Sequence, residues 1–93
     1  MEYENKKLIV QSLLNVEKAY PTKENASEDI FKSWITYLNR AILIEAYDLD
    51  HKFIANFQEK VLDICMKENM DIWAKIMHIR QLILDHAKEI LNM

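Results

Sequence analysis

The stretch ICMKENMDIW, residues 64–73, decides how many helices the second half of the chain makes. Its middle, Lys67-Glu68-Asn69, is polar and interrupts an otherwise apolar pattern. Asn69 can end one helix or cap the next. Upstream, Phe53, Ile54, Phe57, Val61 and Ile64 recur at three- and four-residue spacing, with Leu62 and Cys65 beside them. This periodicity predicts a helix from about Asp50 to Lys67. Downstream, Trp73, Ile76, Ile83, Ala87 and Ile90 hold a/d spacing. Met77, Leu84 and Leu91 widen one edge of that stripe, and Ile72 and Ile79 the other. The second prediction is therefore a helix from Met70 to about Leu91. If residues 67–69 only kink the chain, the two merge into one very long last helix.

Two more helices precede them. Ile9, Val10, Leu13, Val16 and Tyr20 mark the first, from about Tyr3 to Ala19. Pro21 ends it, because proline biases Tyr20 away from helical geometry and has no N–H to continue the ladder. The segment Asn25-Ala26-Ser27-Glu28 opens the second: Asn25 can cap the amides ahead while Glu28 reaches back, with Ser27 as the other possible cap. That helix runs to about Tyr47. Its apolar arc includes Ile30, Phe31, Trp34, Tyr37 and Leu38, and is roughly 160° wide, enough to touch two neighbours. Four amphipathic helices with short joints predict an all-α fold, a small antiparallel four-helix bundle occupying residues 1–93 as one helical domain. Three helices with a long last one is the alternative.

Composition narrows the chemistry. The chain has no glycine, so loops that cradle phosphates through glycine backbone have no means to form. Net charge is −3, with acids and bases interspersed, and no basic stripe offers itself to nucleic acid. No apolar run approaches the ~20 residues of a membrane span, and no secretory leader is apparent. The single cysteine, Cys65, reads as a half-buried thiol in a reducing cytoplasm. His51, His78 and His86 lack a second His or Cys ligand at helical spacing. No metal and no cofactor are expected. Asp48 and Asp50 read as caps for the third helix.

Two charges fall on apolar stripes. Arg80 occupies an a/d position of the last helix, and Glu45 lies in line with Phe31 and Leu38. A charge buried alone costs several kcal/mol, so each must pair, reach water or meet a partner. Glu45 and Glu17 are the acids available to Arg80, and His86 reads as an edge residue. Arg80 and His86 also form an R-x5-H pair. This resembles the signature of HEPN domains, helical bundles whose arginine and histidine cleave RNA across a dimer interface. The resemblance implies a dimeric ribonuclease with Arg80 stabilising phosphate charge and His86 as general base. It covers seven residues, and Gln81 stands where that family usually has Asn, Asp or His. On a straight helix the two side chains point about 120° apart and lie roughly 9 Å apart along the axis. Ala19-Tyr20-Pro21, followed by Trp34 and Leu38, loosely resembles phage-encoded proteins that bind replicative helicases; five positions carry no function across.

Apolar residues outside the predicted arcs are the remaining signal. Leu43, Tyr47 and Leu82 lie there, with Leu8 and Met66 similarly stray. Leu43 and Tyr47, one turn apart and followed by Leu49, can form a patch that binds another helix or a second copy of the chain. The expectation is a cytoplasmic, non-enzymatic module of inhibitor, immunity, antitoxin-like or adaptor type, docking a helical face on another protein. Candidate contacts are Leu43, Tyr47, Leu49, Leu82 and Arg80. The alternatives are the HEPN-like nuclease and a structural homodimerising subunit.

Overall fold

The computed structural model describes residues 3–45 and 49–93, without the side chains of residues 3, 4, 44 and 45. Among the described residues it is an all-α four-helix bundle: α1 (Tyr3–Lys18), α2 (Glu28–Glu45), α3 (His51–Cys65) and α4 (Ile72–Leu91). A short 3-10 turn, Lys23–Asn25, lies between α1 and α2. The break at residues 67–69 is complete, so the three-helix alternative is corrected. α3 stops at Cys65, and α4 starts afresh behind its own cap. Asp71 supplies that cap, its Oδ1 accepting the Ala74 N–H at 2.7 Å. Asp50 does the same for α3, accepting the Lys52 N–H at 3.0 Å. Such caps satisfy donors that a helix start otherwise leaves unpaired.

The start of α2 is a second correction. Asn25 ends the 3-10 turn, and it is Ser27 Oγ that accepts the Ile30 N–H, at 3.3 Å. The 3-10 turn uses up the Asn25 backbone before the helix begins, leaving the nearer hydroxyl as the cap.

Three helices, α1, α2 and α4, contact one another, and α3 leans chiefly on α4. Leu13, Leu38, Ile42, Ile76, Ile79, Ile83 and Ile90 are essentially sealed from solvent and form the centre. Burying such a side chain contributes about 1.5–3 kcal/mol each, which is why the apolar stripes fix the fold. Ile79, read from sequence as an edge position, belongs to this centre. Trp34 joins α2 to α1: its ring is buried, and its Nε1–H donates to the Val16 carbonyl at 2.8 Å. That carbonyl lies in the last turn of α1, where it also accepts the Ala19 N–H at 3.1 Å in place of a regular helical bond. Ile30 and Tyr37, expected on the inward arc of α2, are instead exposed. The arc is wider than its two neighbours cover.

Candidate interaction site

The joint between α2 and α3 is short, yet their backbones barely approach each other. α4 contacts both, α3 more extensively than α2. The result is an open seam, and its lining is apolar along most of its length. In the middle, Ile35 and Ile42 of α2 face Val61, Leu62 and Cys65 of α3, with Asn39 and Gln58 as the polar members. Toward the start of α2 the seam widens to about 500 Å³, and Phe31 and Ile72 join Ile35, Leu62 and Cys65. Glu28, Lys32 and Lys75 supply the charges of the wide end.

Leu62 projects from the α3 lip, and Met66 follows just past the end of α3. Leu62 is 56% exposed and Met66, one turn on, is 71% exposed. Leu43, at 66%, stands on α2 one residue beyond the lining Ile42. By helix geometry Leu43 follows Asn39 by one turn, which places it on the α2 lip. Isolated exposed leucines are ordinary, but a trough with apolar lips on both sides is a contiguous patch.

Lys75 fixes the floor of the wide end. Its Nζ donates to the Cys65 carbonyl at 2.8 Å, placing a cation on the C-terminal end of α3, where the helix dipole is negative. Burial pushes the Cys65 thiol above its ordinary range; the Lys75 ammonium and a backbone hydrogen bond oppose this less strongly. The thiol is therefore held neutral, an apolar element of the trough wall.

The residues singled out in the sequence fall in several places. Leu43 is exposed, as expected. Tyr47 lies outside the described residues. Leu49 is 7% exposed and belongs to the core, so it is removed from the expected patch: it turns inward just ahead of the Asp50 cap. Leu82 is half-buried against the core, on the α3 side of α4, where it borders a depression with Phe53 and Phe57. It is therefore only partly exposed, because α3 covers part of that flank of α4.

Arg80 turns to α1. Its Nη2 lies 2.7 Å from Glu17 Oε1, and its Nε donates to the same oxygen at 2.9 Å. The guanidinium carbon sits 3.7 Å from the centre of the Tyr20 ring, which in turn meets Trp73. Of the two acids considered for it, Glu17 is the observed partner; the Glu45 side chain lies outside the description. His86 turns the opposite way, toward α3. It is 4% exposed, and its ring stacks on Phe57 at 3.9 Å and 3°, with Phe53 at 4.8 Å. The reading of His86 as an edge residue is corrected: α3 covers it. Arg80 and His86 thus stand on opposite flanks of α4 within one chain. Among the described residues, no group of three or more His, Cys, Asp or Glu side chains is arranged to hold a metal. No helix among them is long and apolar enough to cross a membrane.

Sequence reasoning missed the seam because it read Leu62 and Cys65 only as flanking the apolar stripe of α3. Their spacing is helical either way. What turns them into trough and lip is the failure of α2 to close on α3, a property of the assembled bundle.

No protein-family model, curated protein or solved structure matches this chain.

Proposed function

We propose that this protein is a non-enzymatic binding module that meets another protein chain through the α2–α3 seam. One observation carries the reading: two helices joined in sequence stand apart and leave an apolar trough, with Leu62 exposed on its lip. A trough between two helices is shaped to receive a third, whose apolar stripe fills it as the ridge of one helix fills the groove of another. Burying the exposed parts of Leu62 and Leu43 supplies the hydrophobic contribution, at roughly 25 cal/mol per Å² removed from water. Inhibitor, immunity-type and adaptor roles all operate by such docking, in the cytoplasm where a lone thiol stays reduced.

The nuclease reading receives no comparable support. Within one chain, the Arg80 guanidinium is engaged by Glu17 and Tyr20, and the His86 ring is enclosed by Phe57 and Phe53. A general base must reach the proton it removes, and here the imidazole lies beneath α3.

The test is capture from lysate of the source cells with tagged wild-type protein, Leu62→Asp and Leu8→Asp. Leu8 is at least as exposed but lies on α1, away from the seam. The expected outcome is a stoichiometric protein that is retained by wild type and Leu8→Asp and lost with Leu62→Asp. Retention by all three forms, or capture of nothing, would contradict the reading.

A further inference from the structure

We infer that the corner between α3 and α4, residues 62–75, is a movable wall of the seam, and that Lys75 is the strap that holds it in its resting position. The inference rests on the docking reading in one respect: it concerns how the mouth of that same seam is set.

Burial separates the two walls of the wide end. On the α2 side, Phe31, Trp34 and Leu38 follow one another at helical spacing and are all buried, so that wall is anchored in the core. On the opposite side, the last buried residue of α3 is Val61 and the first of α4 is Ile76. None of the residues from 62 to 75, all of them described, is buried. Yet this corner supplies Leu62, Cys65, Ile72 and Lys75 to the wide end of the seam. Local opening takes least free energy where few buried contacts are lost. The main anchors of α3 on α4, Val61 and the stack of Phe53 and Phe57 on His86, lie outside the corner and are kept when it moves.

The two arms of the corner are not held alike. Trp73, on the α4 arm, meets the Tyr20 ring with 6.3 Å between ring centres, which ties that arm to the end of α1. Among the described residues, no ring contact steadies the α3 arm. Its backbone bonds are local: the Met66 N–H donates to the Leu62 carbonyl and the Lys67 N–H to that of Ile64. The Asp71 cap serves only its own helix. One side-chain hydrogen bond among the described residues crosses from arm to arm, that of Lys75 Nζ to the Cys65 carbonyl at 2.8 Å.

That bond suits a strap. The carbonyl belongs to the last turn of α3, where acceptors have no further helical N–H, and the donor is a cation at the negative end of the helix. Glu28 lines the same stretch of the seam, but the ammonium makes no ion pair with it and stays on the carbonyl. The corner is thus held folded by one contact between its own arms. When that contact lets go, the end of α3 moves and carries Leu62 with it, while the α2 wall stays in place. The wide end then changes width to suit the helix that enters it.

The experiment is amide hydrogen exchange followed by NMR on the full chain without a partner, comparing wild type, Lys75→Met and Lys75→Arg. Circular dichroism confirms that each is folded. Methionine keeps an unbranched apolar side chain and loses the donors, whereas arginine keeps a charged donor. In Lys75→Met the Met66 and Lys67 amides are expected to exchange at least ~10-fold faster, with those of Phe57 and Ile83 within ~2-fold of wild type. Lys75→Arg is expected to stay within ~3-fold of wild type at all four, because its guanidinium still reaches the carbonyl. Unchanged Met66 and Lys67 amides in Lys75→Met would overturn the strap. A rise shared equally by Ile83 would overturn the movable corner, which would then open only with the whole bundle. Wild type tests the corner even if Lys75→Met does not fold: its Met66 and Lys67 amides are expected to exchange ahead of those of Phe57 and Ile83, and equal protection would overturn the inference. Every readout is on the free chain, so failure here leaves the docking reading to its capture test, and failure of that capture leaves the strap standing.

Discussion

Arg80 shows what a single charge on an apolar stripe does when the fold supplies its partner. The guanidinium reaches across to α1, grips one oxygen of the buried Glu17 with two nitrogens and lies over the face of Tyr20. The planar fork and the stacking are both properties that lysine lacks. Breaking such a pair is costly chiefly because the other charge stays behind. Arg80→Met is therefore expected to lose about 2–3 kcal/mol in urea unfolding, with Arg80→Met/Glu17→Met recovering most of it. Coupling below about 0.5 kcal/mol in that double-mutant cycle would show the contact to be incidental. Cys65 is the opposite case, a titratable group kept neutral. Burial raises its thiol above the ordinary range, so the folded chain holds that proton more tightly than the unfolded one. Its contribution to stability is complete below the unfolded thiol's pKa and is lost as pH climbs through the raised, folded value.

At the scale of elements, α3 is the helix with least support. α1, α2 and α4 share contacts among themselves, whereas α3 rests mainly on α4 through Phe57, Phe53 and the His86 ring between them and the core. Its far side faces the seam. Local opening takes least free energy where few buried contacts are lost, so α3 is expected to open ahead of the rest. Native-state hydrogen exchange should find the α3 amides around Val61 less protected than those of α4 around Ile83 in the free chain. Equal protection would mean that α3 unfolds only with the whole bundle. The elements themselves were largely legible in the residues. Spacing alone placed four helices, and Asp50 and Pro21 set two of their ends by chemistry visible in the chain, whereas the cap of α4 is Asp71 and not the expected Asn69, because the helix starts two residues later than its apolar stripe suggests. The α2 cap was less legible, since Asn25 and Ser27 are both good caps and the choice turns on a three-residue 3-10 turn.

The whole molecule is where sequence reading thins out. Periodicity tells which face of a helix is apolar, and it does not tell how many neighbours will cover that face. Ile30 and Tyr37 read as inward and lie exposed, while Leu49 and Leu82 read as outward and are respectively buried and half-buried. Each of these turns on the placement of a neighbouring helix. The same holds for the site. Leu43 was found from its position outside the arc, but Leu62 and the trough beside it arise only because α2 and α3 stand apart. Arg80 and His86, adjacent enough in sequence to suggest a pair, are directed by α1 and α3 to opposite flanks of α4.

The seam contains its own reporter. Cys65 lines the trough beside Leu62 and Ile35, half-buried and with its thiol held neutral. The most direct measurement is the rate at which a bulky maleimide, in excess and at fixed pH, modifies Cys65 in the free chain and in the complex recovered by capture. Docking in the seam requires the rate constant to fall several-fold in the complex. A rate constant that is the same in both would contradict docking in the seam.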